Sequence, residues 1–311
     1  SEYAAQGKGG MGKKGITTRE EDTVVDVFTA STHDYILFFT DTGKVYRKKG
    51  YQIPESGKAA KGTNIVNIIQ VETGERVQAM LHFREKGDEK LYLTMVTRNG
   101  TVKRLPVETL KNLRSNGIRA LSLDEGDELV AVHETDGSQR ILIATHDGMA
   151  CVFDETDVRA MGRTAVGVRG IRLREGDYVV GAARAQAGKQ VLSITENGFG
   201  KKTPVEEYRI TNRGGLGIKN YSVCDGAGRV VRAMAVDGSS DLLLVTRAGI
   251  LIRTPVADIR TTGRSTQGVI VMRFKEEGDQ VISMALAEHE DAPASDAAPT
   301  EIPGPVENSA E

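Results

Sequence analysis

The stretch "YILFFTDTGKVYR", Tyr35 to Arg47, reads as two β-rich runs joined by a turn that ends in Gly43. The same signature returns as "LYLTMVTRNGTVKR" (91–104), "ILIATHDGMACVF" (141–153), "VLSITENGFGKK" (191–202) and "LLLVTRAGILIR" (242–253). The turn glycines, Gly43, Gly100, Gly148, Gly198 and Gly249, lie 57, 48, 50 and 51 residues apart. Glycine supplies the positive φ that a tight primed turn needs, so each stretch predicts a β-hairpin.

A second glycine follows each hairpin glycine, at Gly62, Gly117, Gly167, Gly217 and Gly268, offset by 19, 17, 19, 19 and 19 residues. Strand-like runs such as "TNIVNII", "VRGIRL" and "VIVMRF" come next, then an acidic turn ("TGERV", "EGDELV", "EGDYVV", "EGDQVI") and another apolar run. Long amphipathic helices are absent from this pattern. One repeat therefore reads as hairpin, basic loop, strand, acidic turn and strand. A four-stranded unit at this period predicts an all-β, propeller-like disc. Gly12 precedes Gly62 by 50 residues, which places "QGKGGMG" (Gln6–Gly12) in the second-glycine loop of a further, first repeat. The expectation is six four-stranded blades, the first incomplete because its hairpin would lie upstream of residue 1, in a longer protein.

Two phosphate-binding patterns overlap that loop. Gly7 to Gly12 fits G-x-G-x-x-G, and Gly7 to Lys13 fits G-x-x-x-x-G-K. Both need a strand before the loop and a helix after it, so that the helix N-terminus faces the phosphates. Only six residues precede Gly7, and "KGITTREED" after Lys13 is a poor helix start. Lys14 also stands where a P-loop needs Ser or Thr, so a nucleotide site is excluded.

The repeat alignment gives the lysines another meaning. Lys8, Lys58, Arg163, Arg213 and Arg264 stand four residues before the second glycine, and Arg114 stands three before in a shorter loop. Lys14, Arg119, Arg169 and Lys219 stand two residues after it, with Asn64 and Ile270 as exceptions. Arg47, Arg104, Lys202 and Arg253 stand four residues after the hairpin glycine, with Val152 as the exception. Radial repetition turns such placement into a basic rim. A rim of Lys and Arg suits a polyanion held by its phosphates rather than read by sequence. Trp is absent and aromatics make up 5%, which argues against a single-strand stacking platform. Duplex DNA bent around the disc is the expected partner.

The 311 residues suffice for one large domain or two ordinary ones. Charged residues are 27% with net charge −2, a globular composition, and no apolar run suggests a membrane span or signal-peptide core. Cys151 and Cys224 lack metal-ligand spacing and are expected to be core thiols in a reducing, cytoplasmic compartment. From Glu288 to Glu311 there are seven acidic residues and no Lys or Arg; without them the body carries +5. This Ala-, Pro- and Ser-rich segment is expected to be a disordered acidic tail after a domain at 1–287. The five histidines form no catalytic or metal pairing, His146 reads as a turn residue, and Glu20-Glu21-Asp22 reads as a solvated acidic turn. No metal site and no catalytic residue is expected.

Over about residues 1–287 these repeats resemble the C-terminal domain family of the DNA gyrase A subunit, the β-pinwheel. "VRAMGRTAVGVRGIRL" (Val158–Leu173), "GRSTQGVIVMR" (Gly263–Arg273) and "THDYILFFTDTGKVYRKKGYQIP" (Thr32–Pro54) carry the resemblance. That family's marker box, Q-R-R-G-G-K-G, aligns with Gln6 to Gly12. Gln6, Gly9, Gly10 and Gly12 match; Gly7 and Lys8 replace Arg and Met11 replaces Lys, with Lys13 and Lys14 just beyond. The resemblance implies a DNA-binding box loop at Gln6, Lys8, Gly9, Gly10, Gly12, Lys13 and Lys14. It implies a pinwheel that wraps duplex DNA with positive handedness and supports negative supercoiling by gyrase, a type II topoisomerase. The active-site tyrosine and the ATPase, with its ATP and Mg, would lie outside this chain, which needs no cofactor of its own. The implied partners are DNA, the rest of gyrase A and gyrase B, with no membrane; the domain alone is expected to be monomeric, cytoplasmic and nucleoid-associated. The alternatives are the equivalent domain of topoisomerase IV, which lacks the box, and a protein-binding propeller scaffold, against which the missing Trp-Asp signature and the basic rim argue.

Overall fold

A computed structural model describes residues 13–14, 35–49, 69, 71–83, 90–111, 113–114 and 116–289. Each hairpin read from the sequence is present, as Tyr35–Thr40 with Lys44–Lys49, Tyr92–Thr97 with Thr101–Pro106, Arg140–Thr145 with Met149–Asp154, Gln190–Thr195 with Phe199–Pro204, and Ser240–Thr246 with Ile250–Pro255. The turn is locked in the same way every time. A Thr three residues before the hairpin glycine accepts the backbone N–H four residues on, as Thr145 Oγ1 does from Met149 at 3.1 Å. These threonines are almost wholly buried, so each polar side chain is satisfied by the turn that it closes.

Every sheet has the same antiparallel order: a two-residue strand, the second hairpin strand, the first hairpin strand, and a returning strand. The returning strands are Val77–Phe83, Leu129–Thr135, Val179–Arg184, Val230–Val236 and Val281–Glu288. Each pairing with its hairpin slips by one residue near the turn, a bulge that increases local twist. Consecutive returning strands pack on one another. All five supply residues to one polar cavity of about 430 Å³, among them Gln78, Val130, Val179, Val231 and Val281. They therefore meet around a common axis, and the hairpins radiate outward.

The fourth strand corrects the sequence reading. The run after the second glycine is not a full strand of its own blade. Only two residues pair, at Ile118–Arg119, Val168–Arg169, Ile218–Lys219 and Val269–Ile270, and they pair with the preceding repeat's hairpin. Beyond them the chain turns under that hairpin and donates two N–H groups to its glycine carbonyl. Gly43 O accepts from Ala120 (2.7 Å) and Leu121 (3.4 Å), and Gly148 O accepts from Asn220 (2.7 Å) and Tyr221 (3.1 Å). Gly43 has φ +87°, and a Cβ there would lie 2.6 Å from the Leu121 carbonyl oxygen, so conformation and space both demand glycine. Gly217 is held likewise: φ is +78°, and a methyl group would collide with the Ala150 carbonyl.

The blade count is also corrected. Among the described residues there are five four-stranded sheets, not six. A sheet of this kind is built on a hairpin, and five hairpins are present among the described residues. The first repeat contributes the strand Lys13–Lys14 to the last sheet, pairing Lys14 with Ile250 and Lys13 with Leu251. That is the register in which Arg119 meets Lys44 and Lys219 meets Met149. Lys13–Lys14 are thus fastened to the last hairpin.

The cores lie between adjacent blades. Leu192 and Ile194 of one hairpin pack with Leu242, Leu244 and Ile252 of the next, and Val271 and Met272 cover the seam. Burying such a side chain contributes about 1.5–3 kcal/mol. The last strand runs to Glu288, one residue beyond the boundary read at Ala287, and His289 Nδ1 lies 2.6 Å from Asp241 Oδ1. The rest of the acidic tail lies outside the described residues.

Candidate nucleic-acid interface

The short strands carry the most regular basic positions. Arg119, Arg169 and Lys219 each occupy the second residue of a two-residue strand, opposite the residue that follows a hairpin glycine. All three side chains are exposed. Because the strand sits at the sheet edge, one face of the residue points away from the blade, and the repeat sets these charges at equivalent places on successive blades. Lys14 shares the register. Gln6, Lys8, Gly9, Gly10, Gly12 and Lys58 lie outside the described residues.

The residues before the second glycine tie neighbouring loops together. Arg213 donates through Nε to Asp157 O (3.0 Å) and through Nη1 to Arg169 O (3.0 Å). One repeat later, Arg264 Nη1 donates to Lys219 O (2.7 Å). Each guanidinium therefore braces the carbonyl of a rim residue on the preceding repeat. Arg114 and Arg163 are exposed and line a groove of about 370 Å³ with Thr109, Asn116, Gly117 and Ile118.

The third set divides. Arg47 is exposed, its guanidinium 5.0 Å from the centre of the Tyr35 ring. Arg104, Lys202 and Arg253, assigned to the DNA-binding rim by their spacing, are buried at 8%, 6% and 2% exposure. Arg104 donates to Val158 O (3.0 Å), pairs with the buried Glu155 (3.4 Å) and lies over the Tyr92 ring. Arg253 Nε donates to the fully buried Asp241 Oδ2 at 2.7 Å. Burial holds the Lys202 ammonium below its usual range. Arg104 and Arg253 serve the fold, because a buried charge needs a local counter-charge or acceptor and theirs are inside the protein; Lys202 is buried at the same place in the repeat, with the Asp258 charge favouring its ammonium.

Two buried lysines that shape the loops escaped the sequence reading. Lys103 and Lys201, three residues after hairpin glycines, have no exposed surface. Lys103 Nζ donates to Ala120 O (2.7 Å), Arg163 O (3.0 Å) and Ala165 O (2.9 Å). Lys201 Nζ donates to Gly263 O (2.9 Å), Arg264 O (2.6 Å) and Thr266 O (3.0 Å), 4.7 Å from the Tyr221 ring centre. Each ammonium gathers the carbonyls of a basic loop and fixes that loop's shape. At the same place the other hairpins carry Tyr46, Cys151 and Ile252, so neither charge nor polarity is uniform there. Cys151 is a buried thiol, pushed up to about 12 by burial, whereas Cys224 is exposed and not the core thiol expected. His146 is in its hairpin turn, stacked on Tyr178, and Arg98 covers that same ring at 3.9 Å.

Burial pushes Lys103 and Lys201 down from 10.5 to about 8. Between pH 8 and 10.5 the unfolded chain therefore holds protons that the folded one has lost, and stability rises with pH across that window. Tyr46 acts oppositely: burial, then the charge of Glu75, raises its phenol from 10.0 to about 12, so its contribution is lost as pH climbs from 10 towards 12. The expected urea midpoint climbs from pH 8 to about 10 and falls above it. In Lys103→Met and Lys201→Met the climb is reduced; an unchanged climb in both refutes this assignment.

A family model described as the DNA gyrase C-terminal domain, β-propeller, matches residues 1–31, 34–83, 91–136, 139–186, 189–237 and 240–288. The DNA gyrase A subunit of Clostridium acetobutylicum is 46% identical over 285 residues, covering 92% of this chain and 34% of that protein. Its counterpart in Halalkalibacterium halodurans is 51% identical over 291 residues, covering 94% and 35%. The chain thus spans about a third of the length of these relatives. Among solved structures, a DNA gyrase A C-terminal domain superposes with TM-score 0.80 at 25% identity, covering 92% of this chain and 93% of that one. The C-terminal domain of DNA topoisomerase IV superposes with TM-score 0.74 at 27% identity, covering 90% and 87%.

Proposed function

We infer function from one premise: the chain belongs to the DNA gyrase C-terminal domain family. It binds duplex DNA through phosphates, without reading sequence, and bends the duplex around the rim of the disc. Within a whole gyrase, acting in the cytoplasm with the rest of the gyrase A protein and with gyrase B, this presents a wrapped segment to the strand-passage machinery and supports negative supercoiling. The chain itself supplies no catalytic group, metal or nucleotide; those belong to the other parts of the enzyme.

The observation that carries this reading is the register shared by Arg119, Arg169 and Lys219, three exposed cations on equivalent edge strands. Equivalent placement on successive blades of a disc matches a bent polyanion better than a straight one. Bending 20–30 base pairs by 40–90° costs roughly 1–6 kcal/mol, which several phosphate contacts can offset. The test is affinity for random duplexes against salt. Each neutralised phosphate contributes about −0.9 to the slope of log K on log salt, so a rim of several contacts gives a steep line. A slope near zero, or strong preference among random duplexes, overturns the reading. A topology assay completes it: the domain and a relaxing topoisomerase, acting together on relaxed plasmid, should leave a change in linking number.

The topoisomerase IV domain is the second reading, favoured by the TM-score of 0.74. The 46% and 51% identities with gyrase A proteins, and the box-like loop at Gln6 to Gly12, weigh towards gyrase.

A further inference from the structure

The loop "RITNRGGLG", Arg209 to Gly217, differs from its counterparts. Ile210 and Leu216, at 44% and 45% exposure, are the large hydrophobic residues left exposed among the described residues, and both are in this loop. Single exposed leucines are ordinary, but the grouping of both in one basic loop is not. Equivalent bridges to the preceding hairpin put Ala160 and Thr261 where Ile210 stands. The residue before the second glycine is Asn116, Val166 and Gln267 in other repeats. Gly214-Gly215-Leu216-Gly217 shares its pattern of two glycines, an apolar residue and a glycine with Gly9-Gly10-Met11-Gly12.

The loop is braced from behind. Thr211 N donates to Val152 O (2.8 Å), Gly214 N to Gly170 O (2.8 Å), and Gly215 O accepts from Arg172 N (2.8 Å). Arg213 adds its two bonds to Asp157 O and Arg169 O. Arg169, Arg172, Arg209 and Lys219 are exposed around it. Two exposed apolar side chains on one braced loop, with exposed cations on the loop and on the strand beside it, suit a surface that is anionic outside and apolar within. A nucleic-acid duplex has that construction: phosphates outside and stacked base faces inside.

We propose that Leu216, supported by Ile210, is a wedge that enters a base step of the bound duplex and kinks it at this blade. Resting on the DNA-binding reading, the inference adds where the bend is concentrated. Apolar wedges unstack a step at a cost of a few kcal/mol and kink the duplex by about 20–90°, and pyrimidine–purine steps yield most easily. The surrounding cations hold the flanking phosphates while the side chain displaces one stacking contact.

The probe is a duplex of about 30 base pairs with 2-aminopurine at TA steps, whose fluorescence rises on unstacking. Binding of the unaltered chain should raise the signal about twofold or more. Leu216→Ser should remove most of the rise while keeping short-duplex affinity within about threefold, because the rim contacts remain; Leu216→Met should preserve it. Being exposed, the site can be changed without loss of the fold, and an unchanged melting temperature verifies this. If the duplex binds with no rise, or if Leu216→Ser gives the full rise, the wedge is overturned while the DNA-binding reading stands. If no duplex binds, both fall together.

Discussion

Lys201→Met should destabilise the domain by about 1–3 kcal/mol, a sizeable share of the stability of an ordinary domain. The methionine fills a similar volume, so the loss is mainly polar. The carbonyls of Gly263, Arg264 and Thr266 lose their common donor beside the Tyr221 ring; Gly263 O keeps the Thr266 hydroxyl and Thr266 O keeps the Ser222 N–H, so the loss falls chiefly on Arg264 O. An orphaned buried acceptor costs about 1–3 kcal/mol. Lys103→Met should behave alike, since Ala120, Arg163 and Ala165 share one ammonium there. Urea unfolding measures the loss, and amide exchange at 263–266 shows whether the loop opens before the blade does. A loss below about 1 kcal/mol for both variants means that the carbonyls find other donors and the cage is incidental.

The second large effect concerns binding. Reversing Arg119, Arg169 and Lys219 to Glu together should weaken duplex binding by about a hundredfold or more at moderate salt and lower the salt slope by about 2.7. Removing three attractions accounts for the slope, and placing three repulsive charges on the rim adds to the affinity loss. Melting should change little, because these side chains are exposed and only their backbone pairs with the hairpins. Arg253→Gln should do the reverse. It leaves the buried Asp241 without a paired guanidinium, so stability falls by about 3 kcal/mol or more while the DNA salt slope is kept. If the rim triple variant binds as before and Arg253→Gln abolishes binding in a folded protein, the roles of the two sets are exchanged.

Much of the architecture was legible along the chain because its cause is local. A hairpin turn needs positive φ, and Gly43, Gly100, Gly148, Gly198 and Gly249 announce it without reference to anything distant. The sheet-edge places of Arg119, Arg169 and Lys219 were legible for the same reason, since a fixed offset from a glycine fixes a place on the edge. The tertiary structure decided what no offset contains. Arg47 and Arg253 share a position in the repeat, yet one is exposed beside Tyr35 and the other is sealed against Asp241. Lys103 and Lys201 carry no signal at a fixed offset shared by the repeats; their role appears when the next repeat's loop folds over them. The two-residue strands read as part of their own repeats, but their partners are hairpins about 70 residues earlier. For the two lysines and the short strands the deciding contact comes from another repeat, whereas Arg253 meets Asp241 across its own hairpin. Backbone conformation is set by adjacent atoms and repeats with the sequence; the burial of a charge is set by whatever chain arrives to cover it, and only the closed packing of one blade on the next specifies that.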